Sequence, residues 1–115
     1  MTRALMLSVL VLSACGADFD DRPDTFSYIH AAIVLPNCAT SGCHSSLAKT
    51  KDIDLEDKAS AYLVFKNEHF DHVDIVLLLK GDVPPDFYRM PPDQPLPNVD
   101  IELIQRWYDD GKQDN

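Results

Sequence analysis

Six of the eight prolines fall between Asp82 and Pro97, and this constrains the fold more than any other local feature. Proline fixes φ and has no N–H, so neither a helix nor a central strand can run through such a stretch. Regular structure must lie on either side of it. Phe87, Tyr88, Met90 and Leu96 lie within the same stretch, and apolar side chains at that density predict a long loop that packs against the domain.

Outside this loop the apolar residues recur at helical spacing. A first helix is expected over 24–35: Phe26, Ile29, Ile33 and Val34 share a face, Pro23 suits the first turn and Pro36 stops the helix. Asp20, Asp21 and Asp24 suit its positive end. A second is expected over 55–66, capped by Asp54, with Ala59, Tyr62 and Leu63 facing inward. The run 73–80 fits a short buried helix or a strand by periodicity alone. Its leucines and the Lys80-Gly81 ending favour a helix that stops at Gly81. A last helix is expected over 99–110, capped by Asn98 and ended by Gly111. It carries Ile101, Ile104 and Tyr108 on one face, with Leu103 and Trp107 beside them as packing residues. With no alternating strand pattern and no internal repeat, the expected class is all-α, a small helical domain with a long Pro-rich loop.

The N-terminus reads as an export signal. Arg3 precedes an apolar stretch to Leu12 that is too short to span a bilayer, and Leu12-Ser13-Ala14-Cys15 resembles a bacterial lipobox. That resemblance implies cleavage before Cys15, acylation of Cys15 and stable anchoring at a membrane surface by its acyl chains. Gly16 after the cysteine implies the outer membrane, on the periplasmic side of the envelope. The expected organisation is a signal peptide at 1–14, an acidic tether at 15–23 and one domain at 24–115. With Cys15 lipidated, two of the three cysteines remain as a pair in an oxidising compartment.

The formal net charge is −9, and losing Arg3 makes it one unit more negative. Such a surface disfavours nucleic acid and anionic headgroups and suits a basic protein partner. The acidic groups are scattered, and no carboxylate pair, nucleophile motif or phosphate loop proposes catalysis.

The chemistry concentrates in Cys38-Ala39-Thr40-Ser41-Gly42-Cys43-His44 and in Met90-Pro91-Pro92. Two thiols with a histidine directly after the second suit thioether attachment of haem, although the usual pattern has two residues between the cysteines and this chain has four. A disulfide between Cys38 and Cys43 is the main alternative. It would leave His44 at the surface and make the protein a haem-free lipoprotein with a binding or structural role in the envelope. A zinc or copper site using both thiols and His44 is a third reading, without the usual second ligand pair. His30, His69 and His72 are expected at the solvated surface, with His69 and His72 the alternatives to Met90 as an iron ligand.

The order of these pieces is similar to class I c-type cytochromes, and most of all to the cytochrome-c-like domains of exported planctomycete and myxobacterial proteins. The likeness is carried by Cys38 to His44, Gly81-Asp82, Arg89-Met90-Pro91-Pro92 and Trp107 to Gly111. It implies a cytochrome-c-like helical domain holding one haem c through Cys38 and Cys43, with His44 as proximal and Met90 as distal iron ligand. It further implies an electron carrier for redox protein partners rather than an enzyme, because both axial positions are filled. A Met/His pair raises the potential, as suits a carrier. With Met90 off the iron, a peroxidase-like or ligand-sensing domain would result.

Overall fold

The computed structural model describes residues 20–115. The expected signal peptide, Cys15 and the first part of the tether lie outside the described residues. Helix α1 covers 26–37. Thr25 is extended and its Oγ1 accepts the Tyr28 N–H at 3.3 Å, so the helix starts two residues later than the acidic cluster suggested. The Phe26 and Ser27 N–H groups donate to Asn115, to Oδ1 at 3.0 Å and to the carbonyl at 2.7 Å, which supplies two partners that a helix start lacks.

Pro36 does not stop this helix. The chain winds as a π-helix over His30–Val34 and stays helical through Leu35–Asn37. The N–H that Pro36 lacks would have faced the carbonyls of Ala31 or Ala32, both exposed residues. The Asn37 side chain donates to the Ile33 carbonyl at 2.8 Å.

Helix α2 is Lys58–Lys66, later than expected, because Asp57 and not Asp54 caps it: the Asp57 carboxylate accepts the Ser60 N–H at 2.9 Å. Asp54 instead forms a turn by accepting the Glu56 and Asp57 N–H groups at 3.0 and 3.2 Å. Ala61 and Phe65 form the buried face, with Tyr62 beside them. Ala59 is exposed and Leu63 is 61% exposed, which corrects the expected inward set. Phe65 decides that orientation by packing 6.1 Å from Phe26, ring to ring.

The ambiguous run divides. Val73–Asp74 (β2) pairs antiparallel with His69–Phe70 (β1), and Ile75–Lys80 is helix α3. Asp71 and His72 form the turn, both with positive φ (45° and 63°), as the two-residue hairpin turn matching strand twist requires. The regular structure is therefore mainly helical, as expected, but with one minimal two-stranded ladder the fold is not clearly all-α. Asp74 caps α3 by accepting the Val76 and Leu77 N–H groups at 2.7 and 3.3 Å, and Gly81 ends it at φ 79° as expected. Residues 82–97 form the long loop.

Helix α4 is Asn98–Asp109, with Asn98 its first residue rather than its cap. It buries Ile101, Leu103, Ile104 and Trp107 against α1 and α3. Trp107 packs at a tilt 5.1 Å from Phe26, ring to ring, and donates Nε1–H to the Gln113 carbonyl at 2.9 Å. Tyr62 and Tyr108 donate their hydroxyls to the Lys112 and Phe65 carbonyls, so the rings lie in the core with their polar tips satisfied. The end of the tether is held too: Arg22 pairs with Asp20 at 2.9 Å and with Asp100 of α4 at 2.7 Å.

Candidate functional site

The cysteine segment grows directly from the end of α1, where the Cys38 and Ala39 N–H groups both donate to the Val34 carbonyl, at 2.8 and 3.2 Å. A tight turn follows, closed by the Cys43 N–H on the Thr40 carbonyl at 3.0 Å. The His44 N–H then reaches back to the Cys38 carbonyl at 3.1 Å. The four residues between the cysteines are thereby folded into a closed loop that returns His44 to the start of the motif. Beyond it, the Thr50 N–H donates to the Cys43 carbonyl at 3.0 Å and the Leu55 N–H to the His44 carbonyl at 2.8 Å.

Met90 is held from the other part of the chain. Its N–H donates to the Leu78 carbonyl at 3.2 Å, and the Arg89 guanidinium donates to the Lys80 carbonyl at 2.8 Å. Gly81 makes room for that guanidinium: a Cβ there would stand 2.5 Å from Arg89 Nε. The Pro-rich loop is therefore latched onto the last turn of α3, at two carbonyls just before Gly81.

These two segments meet at one cleft of about 300 Å³ lined by Cys38, Cys43, His44, Met90, Pro91 and Pro92. The rest of the wall is largely apolar: Ile53 and Leu55 before α2, Val64 and Phe65 on α2, Phe70 on β1, and Ile75, Leu78 and Leu79 on α3. Thr50 and Lys51 add a polar edge. His30, His69 and His72 do not line the cleft, and neither does Trp107. His72 is 78% exposed beside Asp71, and His69 is exposed on β1.

Both sulfurs are free thiols. Burial, and next the neighbouring Cys43, pushes the Cys38 thiol up to about 11, which disfavours an anionic thiolate there. Among the described residues no three His, Cys, Asp or Glu side chains gather as a metal site. His44 Nδ1 is buried without a hydrogen-bond partner. An imidazole with an unsatisfied ring nitrogen, two thiols and a thioether on an otherwise apolar cleft form a donor set, soft rather than hard, that is compatible with a covalently attached haem and its apolar contact area.

One histidine departs from the sequence reading. His30 is buried, 6% exposed, with its ring 6.0 Å from Phe26 and its Nε2 3.0 Å from the Leu55 carbonyl oxygen. The signal was present, because His30 lies four residues after Phe26 and four before Val34, in the middle of the apolar stripe. The remaining wall residues had no local signature; Phe65 and Phe70 join the cleft through the packing of α2 and the hairpin. No protein-family model, curated protein or solved structure matches the chain.

Proposed function

We propose that this protein is a monohaem c-type cytochrome domain that carries single electrons at the periplasmic face of the cell envelope, anchored by lipid on Cys15. One observation carries the reading: Cys38, Cys43 and His44, and the sequence-distant Met90, line the same apolar cleft. In this reading the domain is of the cytochrome-c-like kind, Cys38 and Cys43 would hold haem c by thioether bonds, and His44 and Met90 would ligate its iron. The bound group would supply reversible one-electron chemistry.

The chain's own residues do the rest. The closed loop from Cys38 to His44 orders both attachment points and the imidazole together, which lowers the entropy lost when a ligand is held there. Leu55, Phe65, Phe70 and Leu79 give the cleft an apolar wall, and an apolar surrounding favours the less charged of two oxidation states. The Arg89 and Met90 bonds to α3, with prolines on both sides, keep the thioether sulfur from drifting. With His44 and Met90 both holding the iron, no position would be left for a substrate, and the domain would carry electrons rather than act as an enzyme. The acidic surface suits basic redox partners.

The test is full-length protein matured in a host with haem-attachment machinery. It should be red, retain one porphyrin mass under denaturation and show a low-spin spectrum. Cys38→Ala with Cys43→Ala should abolish covalent retention. Met90→Ala should lower the potential and open the iron to small ligands. Cys15→Ala should release the protein from membranes. A colourless chain with no added porphyrin mass overturns the reading, and if it also lacks free thiols it is the disulfide-stapled envelope lipoprotein instead.

A further inference from the structure

We infer that His30 is a positioning residue for His44, acting through Leu55; the inference deepens the haem reading above and rests on it for its redox consequence alone. The geometry is a clamp of two hydrogen bonds on one residue. The Leu55 N–H donates to the His44 carbonyl at 2.8 Å, and His30 Nε2 lies 3.0 Å from the Leu55 carbonyl oxygen. A carbonyl oxygen only accepts, so this hydrogen bond requires the hydrogen on Nε2 of His30.

Three observations make this more than a satisfied core histidine. A histidine that ligates metal ordinarily donates its other ring N–H to an acceptor, which sets the ring's orientation. His44 Nδ1 has no such partner. What is held instead is its backbone, on both sides, by its N–H on Cys38 and its carbonyl on Leu55. Second, Leu55 is itself part of the cleft wall, so a shift of this residue moves both the His44 backbone and the apolar surface beside it. Third, His30 begins the π-helical stretch His30–Val34 of α1, whose end donates Cys38 to the same loop. π-Helical winding inside α-helices recurs at functional sites. One helix thus holds the motif covalently through Cys38 and by a side chain through His30.

The test compares wild type, His30→Leu and His30→Gln in full-length protein as purified from the haem-attaching host, in the reduced state. Gln keeps an N–H near the position of Nε2, whereas Leu keeps volume and loses the donor. In His30→Leu the Leu55 amide should exchange up to about tenfold faster, the order of effect expected from losing one intramolecular hydrogen bond, and the haem midpoint potential and His44 ring resonances should move. His30→Gln should restore all three toward wild type. Nitrogen resonances of wild-type His30 should report Nε2–H, a readout that survives if His30→Leu does not fold. Nε2 found without its hydrogen, or His30→Leu with unchanged Leu55 exchange, potential and His44 resonances, overturns the clamp. Equal shifts in His30→Gln and His30→Leu overturn it as well. Absence of porphyrin from wild type overturns the cytochrome reading and leaves the tautomer and Leu55 exchange to decide the clamp separately.

Discussion

Gly81 shows how one residue links backbone geometry to the candidate site. Its positive φ ends α3, and its missing side chain leaves the space that the Arg89 guanidinium fills on the way to the Lys80 carbonyl. Gly81→Ala should therefore lose about 1–3 kcal/mol of stability in denaturant titration from the strained backbone. It should also displace Arg89 and loosen the Met90 segment, visible as faster exchange of the Met90 amide. The site residues named from sequence, Cys38, Cys43, His44 and Met90, converge on one cleft, while His69 and His72 stay outside it. His30 was misread because a titratable ring suggests solvent, whereas its place in the helical stripe points inward; the Leu55 carbonyl that makes burial tolerable is distant in sequence.

At the scale of elements, caps and punctuation were legible to within a few residues. The end of α3 at Gly81, the loop 82–97 and most of α4 follow from local chemistry. The start of α2 moved because two aspartates compete, and Asp54 is occupied by the turn to Glu56 and Asp57. The ladder of β1 and β2 was hidden because Asp71-His72 lacks the glycine that normally advertises such a turn. Asp74 serves both structures, as the last residue of β2 and the cap of α3. Asp74→Ala should cost about 0.5–2 kcal/mol, measured by chemical denaturation, and Asp74→Asn should recover most of it because the cap needs an acceptor and not a charge. α3 supplies Ile75, Leu78 and Leu79 to the cleft, so the same substitution should weaken any ligand held there.

Across the whole molecule, the aromatic core of Phe26, Tyr62, Phe65 and Trp107 ties α1, α2 and α4 together, and Phe65 belongs to both this core and the cleft wall. Arg22 links the segment before α1 to α4 through Asp20 and Asp100. Its hydrogen bond to Asp20 holds that carboxyl down at about 2, against an ordinary 3.8. A depressed folded-state value means the contribution is full above about pH 4 and is lost as pH falls toward about 2. Asp20→Asn should flatten the acid limb of the stability profile in that window. The effect should be small and should shrink with added salt, because the pair is solvent-accessible.

Local patterns were enough to locate the helices, the irregular loop and the sulfur and imidazole groups that line the cleft, because spacing, caps and prolines act over a few residues. They could not say that Phe65 and Phe70 wall the cleft, that Leu63 faces out while Phe65 faces in, or that His30 is buried. Those outcomes depend on which surfaces meet. Burial of an apolar or polar group is decided by partners far along the chain, and only the packed arrangement of α1, α2, α3 and the latched loop brings those partners within contact distance.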